Sequence, residues 1–173
     1  MLFRSWDKYD SNDITLSKSI KITEDGVYNL TGEISDGYIE IDTNGNVYLN
    51  LDNVTIKNSK GPAIYVANAN NVVINLIGEN TLEDGSSYSF SDSDANSVIF
   101  SHDDLVIEGN GTLNIIANYE DGIVSKDDLK ILSGTIIVSS EDDGIRGKDA
   151  VVIKGGNITI DATGDGIKPT NAD

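Results

Sequence analysis

The sequence contains no cysteine and only one histidine. Without cysteine, disulfides cannot hold the fold and no thiol is available for catalysis. With a single histidine, Cys/His zinc sites and Ser-His triads are excluded. Positive charge is also scarce, because 12 Lys and Arg stand against 29 Asp and Glu, which gives a net charge of -17. Such an acidic surface argues against nucleic acid or an anionic membrane as a partner and is common in proteins that bind cations.

Long apolar runs are missing as well. No stretch approaches the roughly 20 residues that a membrane-spanning helix needs, so membrane insertion is not expected. The first residues are too few and too soon interrupted by Arg4 to form a signal peptide. From these residues alone, the chain is either cytoplasmic or an exported protein whose signal lies outside this sequence.

A repeat of 22 residues organises the second half of the chain. The motif Asp121-Gly122-Ile123 recurs as Asp143-Gly144-Ile145 and as Asp165-Gly166-Ile167. The same offset relates further positions: Lys126-Asp127 to Lys148-Asp149, Leu129 to Val151, Ile131 to Ile153, Gly134 to Gly156 and Ile136 to Ile158. A fixed period of this length is typical of solenoids, in which each repeat is one structural unit.

Within each repeat, apolar residues alternate over short segments that are separated by Gly, Ser and acidic residues, as strands and corners require. The pattern predicts an all-β fold, a right-handed parallel β-helix of about six coils of about 22–25 residues, as a single domain over residues 1–173. Residues 83–96 do not fit the repeat and are expected to leave the stack as a loop. The last coil has no cap, so we expect this chain to be the N-terminal part of a longer β-helix. An antiparallel β-sandwich explains the alternation but not the fixed offset.

Stacked coils place equal positions about 4.8 Å apart, so Asp121, Asp143 and Asp165 are expected to form a column. Asp142 adds a charge beside it, and Asp127 and Asp149 form a second column at the next corner. Ca²⁺ takes oxygen ligands at about 2.3–2.6 Å and can bridge carboxylates at this spacing. We therefore predict these six aspartates as calcium ligands. The alternative is that they are turn formers, since Asp before Gly is common in turns.

A second column points outward from the first strand of each coil. In register it reads Glu40, Tyr65, Phe100, Val124, Arg146 and Lys168, with Tyr38 beside it. Aromatic rings can cover the apolar face of a sugar, and Arg or Lys can pair with a uronic acid carboxylate. The column predicts a carbohydrate-binding surface formed by Tyr38, Tyr65, Phe100, Arg146 and Lys168. Ordinary exposed strand residues are the alternative explanation.

Several motifs resemble one family. They are Asp104-Leu105-Val106-Ile107-Glu108-Gly109-Asn110-Gly111-Thr112-Leu113, Asp121-Gly122-Ile123-Val124-Ser125-Lys126-Asp127, Asp143-Gly144-Ile145-Arg146-Gly147-Lys148-Asp149 and Gly164-Asp165-Gly166-Ile167-Lys168. Together they resemble the bacterial carbohydrate-binding β-helix proteins of cellulose-degrading clostridia. The resemblance implies a pectate-lyase-like fold, calcium at acidic corners, a secreted or cell-surface location, and binding of cellulose and polygalacturonate (pectin).

Three functions are compatible with these features. The first is a non-catalytic, calcium-stabilised polysaccharide-binding protein. The second is a pectate-lyase-like β-eliminase, in which Arg146, Lys148 or Lys168 would act as the base. Neighbouring carboxylates oppose this function, because they favour the charged form of lysine. The third is a structural surface or adhesin module. The residues favour the first function.

Overall fold

The computed structural model describes residues 6–171, which are folded into short strands joined by tight corners. Residues 1–5, on which the argument about a signal peptide depends, and residues 172–173 lie outside the described part. The described residues include one 3₁₀ turn, Trp6–Lys8. Within this part of the chain, no helix has the length and hydropathy needed to cross a membrane.

Nineteen strands are present in the described range and are numbered here in chain order. They are β1 (Ser11–Leu16), β2 (Ile20–Ile22), β3 (Gly26–Ile34), β4 (Ile39–Asp42), β5 (Asn46–Asp52), β6 (Thr55–Asn58), β7 (Ile64–Asn68), β8 (Asn71–Ile77), β9 (Glu79–Asp84), β10 (Ser97–Ser101), β11 (Leu105–Gly109), β12 (Thr112–Ala117), β13 (Asp121–Ser125), β14 (Asp128–Ile131), β15 (Thr135–Ser140), β16 (Ile145–Gly147), β17 (Ala150–Ile153), β18 (Asn157–Ala162) and β19 (Ile167–Pro169).

The strands form three faces that follow one another around each coil. Face 1 is a seven-stranded sheet in the order β2-β4-β7-β10-β13-β16-β19. Face 2 contains the start of β3, then β5, β8, β11, β14 and β17, and face 3 contains the end of β3, then β6, β9, β12, β15 and β18. Every pairing between neighbouring coils is parallel. The predicted parallel β-helix is therefore confirmed, and the antiparallel sandwich is wrong.

The 22-residue repeat is the register of the coils. Ile123 pairs with Ile145 and Ile145 pairs with Ile167 on face 1. Leu129 pairs with Val151 on face 2. The inward side chains form apolar ladders that fill the interior, and Ile123, Leu129 and Ile145 are completely buried. Parallel stacking buries these ladders, which the short strands of one coil cannot do alone.

The glycine of the Asp-Gly-Ile motif is required by the close approach of successive coils. A Cβ placed on Gly144 would lie 2.5 Å from the carbonyl oxygen of Gly166 and 2.5 Å from Cγ2 of Ile160. A Cβ on Gly122 would lie 2.5 Å from the carbonyl oxygen of Gly144. These distances leave no room for a methyl group, so the motif reflects steric packing as well as turn chemistry.

The predicted loop begins two residues later than expected. Glu83 and Asp84 belong to β9, and the loop that leaves the stack contains residues 85–96. Both acidic residues extend the strand because β9 remains paired with β6 as far as Asp84, which lies opposite Asn58. The sequence pattern predicts that the chain leaves the stack at residue 83, two residues before it does.

Adding a methyl group at the centre of the glycine column should destabilise the stack. Gly144→Ala is expected to lower the free energy of unfolding by about 1–3 kcal/mol, because the methyl group would overpack the contact with the next coil. Gly166→Ala is the matched control, because a Cβ there has no heavy atom within 4 Å. Urea unfolding of both variants measures the difference, and equal stabilities would contradict the steric explanation.

Candidate functional site

The aspartates of the repeat are stacked, and their carboxylates extend the hydrogen bonding between coils. Oδ1 of Asp121 accepts the backbone N–H of Asp143, with 2.9 Å between nitrogen and oxygen. Oδ1 of Asp143 accepts the backbone N–H of Asp165 at the same distance. This hydrogen bonding is the structural role expected of turn formers. It uses one oxygen of each carboxylate, so a second role depends on the other oxygen.

Three acidic side chains converge at this corner, which joins face 3 to face 1. Asp121, Asp142 and Asp143 each direct one oxygen to a common point, and these oxygens all lie within 4.8 Å of one another. Asp121 and Asp143 are buried, whereas Asp142 is exposed. Three carboxylate oxygens are the donor set that a hard divalent cation such as Ca²⁺ prefers. The cluster could hold a metal ion that is accessible from the side of Asp142.

Two cations from the next coil already contact this cluster. The Arg146 guanidinium donates through Nε and Nη2 to Oδ2 of Asp121, with the Nε distance at 3.0 Å. The Lys168 ammonium lies 2.7 Å from Oδ2 of Asp143. Each cation therefore reaches back one coil to the aspartate of the preceding motif. The signal for these pairs is the residue after Asp-Gly-Ile, which is Arg in one motif and Lys in the next.

Two groups at this corner have raised pKa values, for different physical reasons. Burial raises the pKa of Asp121, while the nearby Arg146 guanidinium and the N–H of Asp143 act to lower it. The hydrogen bond to Asp143 raises the pKa of Lys168. Lys168 therefore stays protonated at neutral pH, which suits an ion pair and not a general base.

The other predicted metal ligands lie apart from the three-acid cluster. The Asp165 side chain is largely exposed and lies 3.5 Å from the Lys168 ammonium. Asp127 and Asp149 stack at the next corner, where the N–H of Asp149 donates to the carbonyl of Asp127 at 3.3 Å. Burial raises the pKa of Asp127, and so do Asp104 and Asp149 beside it. Among residues 6–171, only the cluster of Asp121, Asp142 and Asp143 brings three potential ligand groups together.

The outward column on face 1 has the predicted register but not the predicted exposure. Tyr65 pairs with Phe100, Phe100 with Val124, and Val124 with Arg146. Tyr65 is only 9% exposed, however, and Phe100 is completely buried. The expectation that both rings face solvent is wrong, because the loop of residues 85–96 packs over them. Removal of either ring would cost stability, so loss of binding in such a variant could not be assigned to a sugar contact.

Aromatic packing and hydrogen bonds hold this loop on face 1. Phe90 lies edge-on to Tyr65, with 4.9 Å between ring centroids, and edge-on to Tyr38 at 5.2 Å. Oδ2 of Asp92 accepts the Tyr65 hydroxyl at 2.9 Å and lies 2.6 Å from Nε2 of His102. The His102 side chain is only 34% exposed and faces the loop. Nothing in the repeat indicated this contact, since the loop lies outside the repeat.

The loop and the corner between faces 3 and 1 enclose a groove that the sequence did not reveal. One cavity of about 600 Å³ lies beside Lys57, Glu83 and Asp84. A second of about 340 Å³ lies beside Tyr38 and Phe90. The two cavities share residues Asp36 and Asn58. We call this pair of neighbouring cavities the corner groove.

Comparison with known proteins connects this architecture to carbohydrate binding. A family model described as "Carbohydrate-binding domain-containing protein" matches residues 17–173. The chain belongs to this family. The match confirms the family resemblance that the Asp-Gly-Ile motifs suggested.

Two relatives carry similar descriptions. A carbohydrate-binding domain-containing protein of Acetivibrio thermocellus is 40% identical over 130 residues, which cover 71% of this chain and 46% of the relative. A solved structure, described as the polysaccharide lyase-like protein from C. thermocellum in a gadolinium derivative, superposes with a TM-score of 0.87 at 40% identity. That alignment covers 90% of this chain and 66% of the solved chain. The chain thus spans about half the length of the first relative and 66% of the second.

The buried Asp84 at the corner groove should make stability depend on pH. Its carboxylate accepts the Tyr88 hydroxyl and the Asn118 N–H, each at 2.6 Å, and burial raises its pKa from 3.8 to about 6. Because the pKa of Asp84 is higher in the folded than in the unfolded protein, its protonated carboxyl group adds to the free energy of unfolding. This contribution is complete below about pH 4 and is lost as the pH rises through about 6.

Asp84→Asn should abolish this loss of stability at higher pH, because the amide stays neutral. Its oxygen can accept the N–H of Asn118, and its nitrogen can donate to the hydroxyl oxygen of Tyr88. The variant should gain up to about 3 kcal/mol over the wild type between about pH 4 and about pH 7. Urea unfolding across this range measures the gain, and Asp161→Asn, an exposed acid, is the control. A constant difference at every pH would contradict the role assigned to Asp84.

Proposed function

We propose that this chain is a non-catalytic binding module for plant cell-wall polysaccharides that acts outside the cell, secreted or attached to its surface. We further propose that Asp121, Asp142 and Asp143 hold a Ca²⁺ ion and that polygalacturonate binds beside it. Cellulose is proposed as the second polymer. The single observation that carries this proposal is the convergence of three carboxylates next to two outward cations, Arg146 and Lys168.

The residues present fit a calcium ion in both charge and donor type. All three ligand groups are carboxylates, which Ca²⁺ prefers to the nitrogen or sulfur ligands of softer metals. When bound, the ion would supply positive charge that attracts the carboxylates of a uronic acid polymer. Arg146 and Lys168 are 19% and 36% exposed, so they are accessible for pairing with further uronate groups.

The eliminase alternative is disfavoured by the state of two of the three possible bases, Arg146 and Lys168. A base that removes a carbon-bound proton must be unprotonated. The hydrogen bond to Asp143 raises the pKa of Lys168, and Arg146 is held in an ion pair with Asp121. Both groups are arranged to remain charged, which suits binding.

Calcium-dependent retention of polygalacturonate tests the proposal. Wild-type protein should bind the polymer in calcium and lose most of that binding in EDTA. Asp143→Asn should weaken binding about tenfold or more at limiting calcium, because a carboxylate ligand is lost. The asparagine oxygen can still accept the N–H of Asp165, so the hydrogen bond between coils is kept. Asp161→Asn changes the same charge at an exposed position on face 3 and should bind as the wild type does.

Three results would contradict the proposal, wholly or in its calcium part. Release of unsaturated uronate, detected by its ultraviolet absorbance, would show that the protein is a lyase. Failure to retain polygalacturonate or cellulose under any condition would favour the structural or adhesin module. Equal binding in calcium and EDTA would remove the ion from the account.

A further inference from the structure

We propose that the corner groove is a second, calcium-independent binding site for a neutral oligosaccharide. This inference rests on the proposed polysaccharide-binding function. The loop of residues 85–96 buries the aromatic rings of the outward column, but it also contributes a new aromatic wall. Phe90 and Tyr38 meet edge to face at 5.2 Å and line one end of the groove. Both rings are partly exposed, unlike Phe100 beneath the loop.

The groove has the shape expected for an extended sugar chain. It crosses the stacked corners that contain Asp36, Asn58, Asp84 and Asn118, which belong to four successive coils. Three steps of about 4.8 Å give a length of roughly 14 Å, which is enough for a short oligosaccharide. The two neighbouring cavities, of about 600 and about 340 Å³, each lie within the range of small-ligand sites.

The rim of the groove offers both donors and acceptors. Asp36, Lys57 and Lys60 are exposed at its edge. The N–H of Ser59 donates to Oδ1 of Asp36 at 2.9 Å, and this hydrogen bond lowers the pKa of Asp36. The carboxylate therefore remains ionised with a second oxygen available, and charged groups make the strongest hydrogen bonds to hydroxyls. An aromatic wall beside such a rim suits a pyranose, which has an apolar face and polar edges.

Charge distinguishes the ligand of this groove from a uronic acid polymer. Three acids, Asp36, Glu83 and Asp84, line the groove against two lysines, Lys57 and Lys60, and Lys57 is already held by Glu83 at 2.9 Å. No group of three metal ligands occurs at the groove within residues 6–171. A uronate there would face carboxylates without a bridging cation, whereas neutral hydroxyls would meet no such repulsion. The ligand class is therefore a neutral, pyranose-based chain.

The test uses cellohexaose as the neutral probe and isothermal titration calorimetry of the full chain. The wild type should bind it equally in calcium and in EDTA. Tyr38→Ala should raise the dissociation constant at least tenfold, and Lys60→Ala at least threefold. Lys154→Ala, which removes an exposed lysine that follows β17 and does not line the groove, should leave it unchanged. Melting curves verify that Tyr38→Ala is folded, and Lys60→Ala provides an independent test since its side chain is exposed.

Absence of cellohexaose binding would overturn the inference. It would also be overturned if binding required calcium and Asp143 and were unchanged in Tyr38→Ala and Lys60→Ala. Calcium-dependent retention of polygalacturonate in the same preparations separates the two ideas. If it persists while cellohexaose fails to bind, the groove proposal fails while the calcium site and its binding of polygalacturonate stand. If neither polymer binds, the proposed function fails as well.

Discussion

The whole structure depends on the hydrogen bonding of each coil to the next in fixed register. Short strands cannot bury an apolar side on their own, so stacking supplies both the backbone partners and the buried ladders. At the corner between faces 3 and 1, the carboxylates of Asp121 and Asp143 continue this bonding by accepting the N–H of the next coil. The same stacking concentrates negative charge, which Arg146 and Lys168 partly offset. Structure and proposed function therefore share one set of side chains.

This shared use explains why the corner can serve two roles. Each of these two aspartates uses Oδ1 for the fold and directs Oδ2 to a cation from the following coil. A calcium ion at the cluster would compete with the guanidinium of Arg146 for Asp121 and with the ammonium of Lys168 for Asp143. Asp142, which has no ion pair within residues 6–171, is the group most available to a new ligand. The balance between internal cations and a bound ion then sets the affinity of the site.

Sequence reasoning could predict whatever the repeat determines and little that lies outside it. The register of Ile123, Ile145 and Ile167 follows from the 22-residue period, and so does that of Val124, Arg146 and Lys168 beside them, because stacking fixes which residues are neighbours. The burial of Tyr65 and Phe100 does not follow, since it depends on where the loop containing Phe90 packs. A non-repeating segment has no register from which its position can be inferred. The nearness of these cations to the acids follows from the Arg and Lys directly after Asp-Gly-Ile, but the individual pairs, Arg146 with Asp121 and Lys168 with Asp143, require the structure.

The central claim is that the cluster of Asp121, Asp142 and Asp143 is a cation site as well as part of the fold. Anomalous diffraction from crystals grown in calcium, measured at a wavelength where calcium scatters anomalously, tests it most directly. A calcium peak is expected at the cluster, with oxygen ligands at about 2.3–2.6 Å from all three side chains. A cluster without a peak at saturating calcium, with Arg146 still bound to Asp121 and Lys168 to Asp143, would contradict it.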